Sequence, residues 1–153
     1  MLVPAGRAIL VPVIVPAGAD TMALPKGHPE PGEDHAAAAV REVLEETGIR
    51  AEPIVPLGAV EYWYWARQRG RRVHKFVDMF LLRYRAGRAG RHDAEVERVV
   101  LMPLEALPEA LTHRGEREIA RAALAVVEDA GGDAGALANT WRVHPTENRP
   151  RQD

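Results

Sequence analysis

Three glutamates fall within about one helical turn of the segment GHPEPGEDHAAAAVREVLEETGI, which runs from Gly27 to Ile49. Glu42 stands three residues before Glu45 and four before Glu46, so the carboxylates crowd one side of a helix. Like charges at this spacing destabilise a helix by roughly a few tenths of a kcal/mol per pair. Glu45 and Glu46 also lie toward the carboxyl end, where helix polarity disfavours anions. Arg41 offsets part of this cost. A solvated acidic face is one reading of the pattern. A hard divalent cation resolves the conflict better, because Mg²⁺ or Mn²⁺ prefers carboxylate and water oxygens and often bridges a protein to substrate phosphates.

The elements that must position these groups follow from periodicity. Ala36, Ala37, Val40, Val43, Leu44 and Thr47 recur at three- and four-residue steps and predict an apolar helix face. Asp34 can cap the amino end, four alanines favour the helix, and Gly48 can end it. Ala17 to Glu33 reads as loop, with a tight turn at Pro31-Gly32. Strands are expected at Ile9–Val15, Ile54–Tyr62, Val73–Tyr84 and Val96–Met102, the last closed by Pro103. The alternation of the third is imperfect, since Val77, Met79 and Leu81 compete with Phe76, Phe80 and Leu82. A second helix is expected from Glu116 to about Asp129, with Ile119, Ala123, Val126 and Val127 as its apolar stripe. Helices and strands in this proportion indicate helices covering the faces of a sheet.

The bulk properties agree with one domain, expected over residues 1–140, followed by a tail from 141 to 153 that could dock through Trp141. The chain has 153 residues, 46% of them hydrophobic and 27% charged, ordinary values for a globular protein. The lack of cysteine excludes disulfides, thiolate nucleophiles and metal–sulfur sites. No run approaches the roughly 20 apolar residues of a membrane span. The opening residues lack a signal-peptide pattern, so a cytoplasmic protein is expected. A formal charge of -2 argues against binding duplex nucleic acid, although a few local arginines could still meet a small anion.

The acidic segment resembles the signature of the Nudix hydrolases: glycine, five residues, glutamate, seven residues, Arg-Glu, an aliphatic, any residue, Glu-Glu, any residue, glycine, an aliphatic. Gly27, Glu33, Arg41-Glu42-Val43, Glu45-Glu46 and Gly48-Ile49 fill its fixed positions. Weaker similarity extends from Leu24 to about Arg117. The resemblance implies an α/β/α sandwich around a mixed β-sheet. It also implies catalytic Mg²⁺ or Mn²⁺ bound by Glu42, Glu45 and Glu46, with the Lys26 carbonyl completing one metal's shell. Glu46 and Glu42 are the expected direct ligands, and Glu45 binds directly or through water. Glu33 and Arg41 would brace the loop against the helix. Glu95 is the expected general base, with Glu97 and Glu46 as alternatives.

Further resemblance lies in Leu24-Pro25-Lys26-Gly27-His28 and Glu30-Pro31-Gly32-Glu33, which are similar to the opening of diadenosine and diphosphoinositol polyphosphate hydrolases. Tyr62-Trp63-Tyr64 and Arg71-Arg72-Val73-His74-Lys75 resemble the central strand pair of bacterial relatives. Those relatives often continue with Thr-Val-His, where this chain has Phe76-Val77-Asp78. The amino-terminal segment before Leu24 is also shorter and more proline-rich than usual. The implied reaction is water attack on a diphosphate linkage, with dinucleoside polyphosphates as the leading substrates. Nucleoside triphosphates, nucleotide sugars and diphosphoinositol polyphosphates are alternatives, as is a noncatalytic nucleotide-binding module. Lys26, Arg72, His74 and Lys75 are candidate phosphate contacts and Tyr62 a candidate base contact. The expected partner is a small diphosphate-containing molecule, bound by a monomer or homodimer.

Overall fold

The longest strand among the described residues runs straight through two prolines. In the computed structural model, which describes residues 3–5, 8–90 and 92–130, β3 (Ile49–Ala66) pairs antiparallel with β4 (Arg71–Gly87) from Ile49↔Gly87 to Ala66↔Arg71. Register shifts at Pro53/Val55 and Pro56/Gly58 accompany Pro53 and Pro56. Proline cannot donate to the ladder, and an irregularity of this kind lets the strand continue past it. The hairpin is therefore longer than the apolar runs Ile54–Tyr62 and Val73–Tyr84 predict. Its largely exposed end, the aromatic 63–65 with Ala66 and the basic 71–72, continues the pairing, and the turn closes with Arg69 N–H donating to the Ala66 carbonyl at 3.0 Å.

A second sheet has the order β1-β2-β5, built from β1 (Val3–Ala5), β2 (Ala8–Pro16) and β5 (Val96–Pro103), again antiparallel. After β5 come a 3-10 turn (Leu104–Ala106), the short α2 (Leu107–Ala110) and α3 (Arg114–Asp129). The signature helix is α1 (His35–Thr47), capped by Asp34 and ended by Gly48 in the left-handed region at φ 80°.

The two-sided pattern of β4 explains the layering. Val77, Met79 and Leu81 join the main core with Ile119, Ala120, Ala123 and Val127 of α3. Phe80, Leu82 and Tyr84 belong to a smaller core with Val40 and Val43 of α1. Both faces of the strand are covered, so its apolar residues cannot alternate cleanly with polar ones. The result is the expected α/β/α sandwich, its β layer built from two antiparallel sheets. On α1 the buried face differs from the expected stripe. Val43 and Thr47 are buried as expected, but Leu44 is exposed and Ala37 also faces solvent, whereas Ala38 and Glu46 are buried. Thr47 can be buried because its hydroxyl donates to the Val43 carbonyl at 2.6 Å.

No helix among the described residues is long and apolar enough to cross a membrane. The expected boundary at 140 and the Trp141 tail lie outside the described residues.

The seam where α1 passes into β3 leaves room for glycine only. Gly87 has φ 92°, and a Cβ there would stand 2.4 Å from the Gly48 carbonyl oxygen. Gly87→Ala is expected to lower stability by about 1–3 kcal/mol, measured as a shift in the urea midpoint. An unshifted midpoint would show that the seam can relax.

Candidate metal and substrate site

The backbone at Lys26-Gly27 is pressed against two of the signature glutamates. Lys26 N–H donates to Glu46 Oε2 at 3.1 Å. A Cβ on Gly27 would come within 2.1 Å of the Glu42 carboxyl carbon. Any larger residue would displace the Glu42 carboxylate from this position, which gives a physical reason for the first residue of the signature. The Lys26 carbonyl belongs to this same peptide unit.

Arg41 binds the loop to the helix. Its Nε and Nη2 donate to the two oxygens of Glu33, both at 2.9 Å, and Nη2 also donates to the His28 carbonyl at 3.0 Å. Nη1 donates to Glu42 Oε1 at 2.9 Å and to Glu45 Oε2 at 3.2 Å. A planar fork can hold one carboxylate in two-point contact while turning its third edge to others. Glu33 also accepts from the Glu30 N–H at 3.0 Å. Bonds from Arg41, with this one, hold its carboxyl down to about 2.

The three helix glutamates have three different environments: Glu45 is exposed, Glu42 intermediate and Glu46 buried, with 6% of its surface accessible. Burial pushes the Glu46 carboxyl up to about 8, and the nearby Glu42 and Asp93 carboxylates add to this against the opposing Lys26 N–H and charge. Glu42 is likewise raised, chiefly by burial and also by Glu45 and Glu95, while Arg41 opposes. Glu95 is exposed, its N–H donating to Asp93 Oδ1 at 3.1 Å and its carbonyl accepting from Ala17 at 2.8 Å. The Asp93 N–H in turn donates to the Glu45 carbonyl at 2.9 Å, which ties this loop to the end of α1.

Among the described residues, no three His, Asp or Glu side chains stand together as a ready-made ligand set. Glu42 and Glu45 both accept from Arg41 Nη1, whereas Glu46 accepts from the Lys26 N–H. The donor chemistry nevertheless fits a hard divalent cation. Glu42, Glu46 and the Lys26 peptide offer oxygens only, and a cation would remove the cost of charging the two partly buried carboxylates.

The hairpin divides the candidate substrate contacts between its faces. Tyr62 pairs with Lys75, and Trp63 with His74, so neighbouring pairs point to opposite sides. Tyr62 lies on the Lys26 side, its hydroxyl donating to Glu116 Oε1 at 2.8 Å, with the Lys26 ammonium 5.3 Å from its ring centroid. Lys75 is half-buried there, its ammonium lowered by burial and by the charge of Lys26. On the other face, the rings of His74 and Trp63 stack at 3.9 Å, Arg72 sits 5.0 Å from the Trp63 ring, and His74 pairs with Glu61. Asp78, the departure noted above, pairs with His35 at the start of α1.

The chain matches the NUDIX domain family over residues 6–123. It belongs to the Nudix hydrolase superfamily. It is 38% identical over 128 residues to a Mycobacterium tuberculosis protein provisionally named mutator protein MutT4, a match covering 84% of this chain. The chain spans about half, 51%, of that relative's length. A C. elegans Ap4A hydrolase in a binary complex shares the fold with TM-score 0.62 and 22% identity, over 80% of this chain and 88% of that one. A NUDIX hydrolase from Nitrosomonas europaea does so with TM-score 0.57 and 24% identity, over 82% and 85%.

Two acidic residues near this Nudix site were not singled out as site residues from sequence. Asp93 carries no pattern of its own. Glu116 does: it falls on the buried stripe Glu116, Ile119, Ala120, Ala123 and Val127, and a carboxylate on an apolar face is a legible signal.

Because the Glu46 carboxyl is raised above the ordinary 4.5, the folded chain holds an extra proton between roughly pH 4.5 and 8. That contribution to stability is full below this window and lost as pH rises through it. At pH 8 without metal, Glu46→Gln is expected to be more stable than the parent chain by on the order of 1 kcal/mol, read as a higher melting temperature. Excess Mg²⁺ should then raise the parent's melting temperature more than the variant's. A variant that melts lower at pH 8 without metal would contradict the charge assignment.

Proposed function

We propose that this chain is a divalent-metal-dependent pyrophosphohydrolase that cleaves diphosphate linkages, with dinucleoside polyphosphates such as diadenosine tetra- or hexaphosphate as its substrates. The observation that carries the reading is the contact of the Lys26-Gly27 backbone with both Glu46 and Glu42, with Lys26 near enough for its charge to act on both Glu46 and Lys75. Carboxylates suited to a cation thus stand near two ammonium groups suited to a polyanion. Glu42, Glu46, Glu45 and the Lys26 carbonyl would hold Mg²⁺ or Mn²⁺. When bound, the metal supplies charge neutralisation at the phosphate oxygens and acidifies water.

The chain's own residues then do the positioning. Arg41 fixes Glu42 and Glu45 in orientation and anchors the 28–33 loop through Glu33 and the His28 carbonyl. Lys26 and Lys75 neutralise phosphates on the Tyr62 face. A water oxygen attacks one phosphorus, the bond from that phosphorus to the bridging oxygen breaks, and the water proton passes to a carboxylate. Glu95 serves as that base: it is exposed and near enough for its charge to raise Glu42, so the proton can leave to solvent. Tyr62 borders the base subsite. Arg72 and His74, flanking Trp63 on the opposite face, serve the far end of a long substrate that reaches around the hairpin. The enzyme works in the cytoplasm, as a monomer or homodimer, on a small diphosphate-containing molecule.

Incubation with Mg²⁺ or Mn²⁺ and a panel of diadenosine polyphosphates, nucleoside triphosphates, nucleotide sugars and diphosphoinositol phosphates tests the substrate. Diadenosine compounds should turn over with the highest kcat/KM. Turnover of triphosphates alone would replace this substrate with the single-nucleotide alternative. Glu46→Gln should cut kcat by about 10²-fold or more without loss of the fold, and a variant with parental kcat would contradict the metal assignment.

A further inference from the structure

We propose that Glu116, on α3, is a positioning residue that holds the Lys26 ammonium and the Lys26-Gly27 peptide in register with the signature helix. The inference rests on the metal and phosphate reading above.

Glu116 is fully buried. A carboxylate in that place is costly unless it is closely paired, and an apolar residue would cover the core more cheaply. Its partners explain why it is there. Glu116 Oε2 accepts the Leu24 N–H at 3.0 Å, and Oε1 accepts the Tyr62 hydroxyl at 2.8 Å and pairs with Lys26 Nζ at 2.8 Å. All three partners belong to the segment leading into Gly27 or to the substrate face of the hairpin. None of these contacts serves α3 itself.

The alternation of the segment sharpens the point. The Leu24 N–H goes to Glu116 of α3, and two residues later the Lys26 N–H goes to Glu46 of α1. Upstream, Met22 N–H donates to Thr112 Oγ1 and the Thr112 N–H donates to the Met22 carbonyl, both at 3.0 Å. Ala23 exchanges both backbone bonds with Ile14 of β2, at 2.8 and 2.9 Å. Residues 22–26 are therefore held by β2, by Thr112 just ahead of α3, by Glu116 and by Glu46, with Thr112 and Glu116 fixing how far the Lys26 peptide advances toward Glu46. The Lys26 ammonium is fixed by the same carboxylate. It sits between Glu116 and the Leu24 carbonyl, 3.3 Å away, and over the Tyr62 ring. Glu116 thus sets the place of one backbone oxygen and one cation of the site without touching substrate.

Glu116→Gln separates these functions. Glutamine keeps the size and one acceptor for the Leu24 N–H, but carries no charge to hold the ammonium. The variant should fold and should bind Mn²⁺, titrated calorimetrically without substrate, about threefold or more weakly. Its kcat/KM should fall by roughly tenfold or more. Lys26→Met should lose activity to a similar degree. In the double variant the loss should stay within about twofold of the worse single variant, since both changes break one link.

Fully multiplicative losses, or a Glu116→Gln protein with parental Mn²⁺ affinity and kcat/KM, would overturn the positioning role and leave Glu116 a packing residue. Should Glu116→Gln fail to fold, Thr112→Val loosens the same segment upstream. It should weaken Mn²⁺ binding, and unchanged binding would overturn the proposal. Because Mn²⁺ affinity is read without substrate, a parent chain inactive on every diphosphate would refute the proposed function while leaving this test legible.

Discussion

The structure depends on how one short extended segment is held. Residues 22–27 bury Ala23 and Leu24 in the core. Ala23 pairs with Ile14 of β2, and the other backbone donors of the segment are taken up by side chains from α1, from α3 and from the turn before α3. Glu46 of α1 takes the Lys26 N–H, Glu116 of α3 takes the Leu24 N–H, and Thr112 takes that of Met22. The segment can therefore move neither toward α1 nor away from it without leaving a buried polar group unsatisfied. Gly27 makes the remaining contact, lying where any side chain would collide with Glu42. The sandwich matters for function because it brings α1 and α3 to either side of this segment.

The electrostatics follow from the same arrangement. Crowding three glutamates on the last two turns of a helix opposes both mutual repulsion and the helix dipole. Arg41 answers for the outer part by gripping Glu33, Glu42 and Glu45. It does not reach Glu46, whose carboxylate is buried and raised. A site whose outer carboxylates are satisfied by arginine and whose inner one stays costly to charge is poised to gain from a cation. This asymmetry, more than the number of acidic residues, distinguishes the Nudix helix here from a solvated acidic face.

Much of this was legible in the sequence because it is local. The cap at Asp34, the stop at Gly48 and the crowding of Glu42, Glu45 and Glu46 all follow from spacings within one helix. The spacing of Gly27 and Glu33 ahead of that helix also identified the family. The rest depends on contacts across the fold. That β4 buries both faces could not be read from an alternation that two cores make ambiguous. The burial of Glu46 in place of Leu44 depends on a backbone donor twenty residues away. The division of Tyr62 and Lys75 from Arg72 and His74 follows from strand parity, but the side that meets Lys26 is set by where α3 packs. Glu116 was marked by the similarity that reaches Arg117 and by its place on an apolar stripe, but its partners lie some fifty to ninety residues distant in sequence.

Anomalous diffraction from crystals soaked in Mn²⁺ tests the central claim most directly, that the Lys26-Gly27 peptide and the buried glutamate form a cation site. The account predicts a strong peak within coordination distance of Glu46, Glu42 and the Lys26 carbonyl. A saturated crystal with no peak there, or with its manganese bound elsewhere, would contradict it.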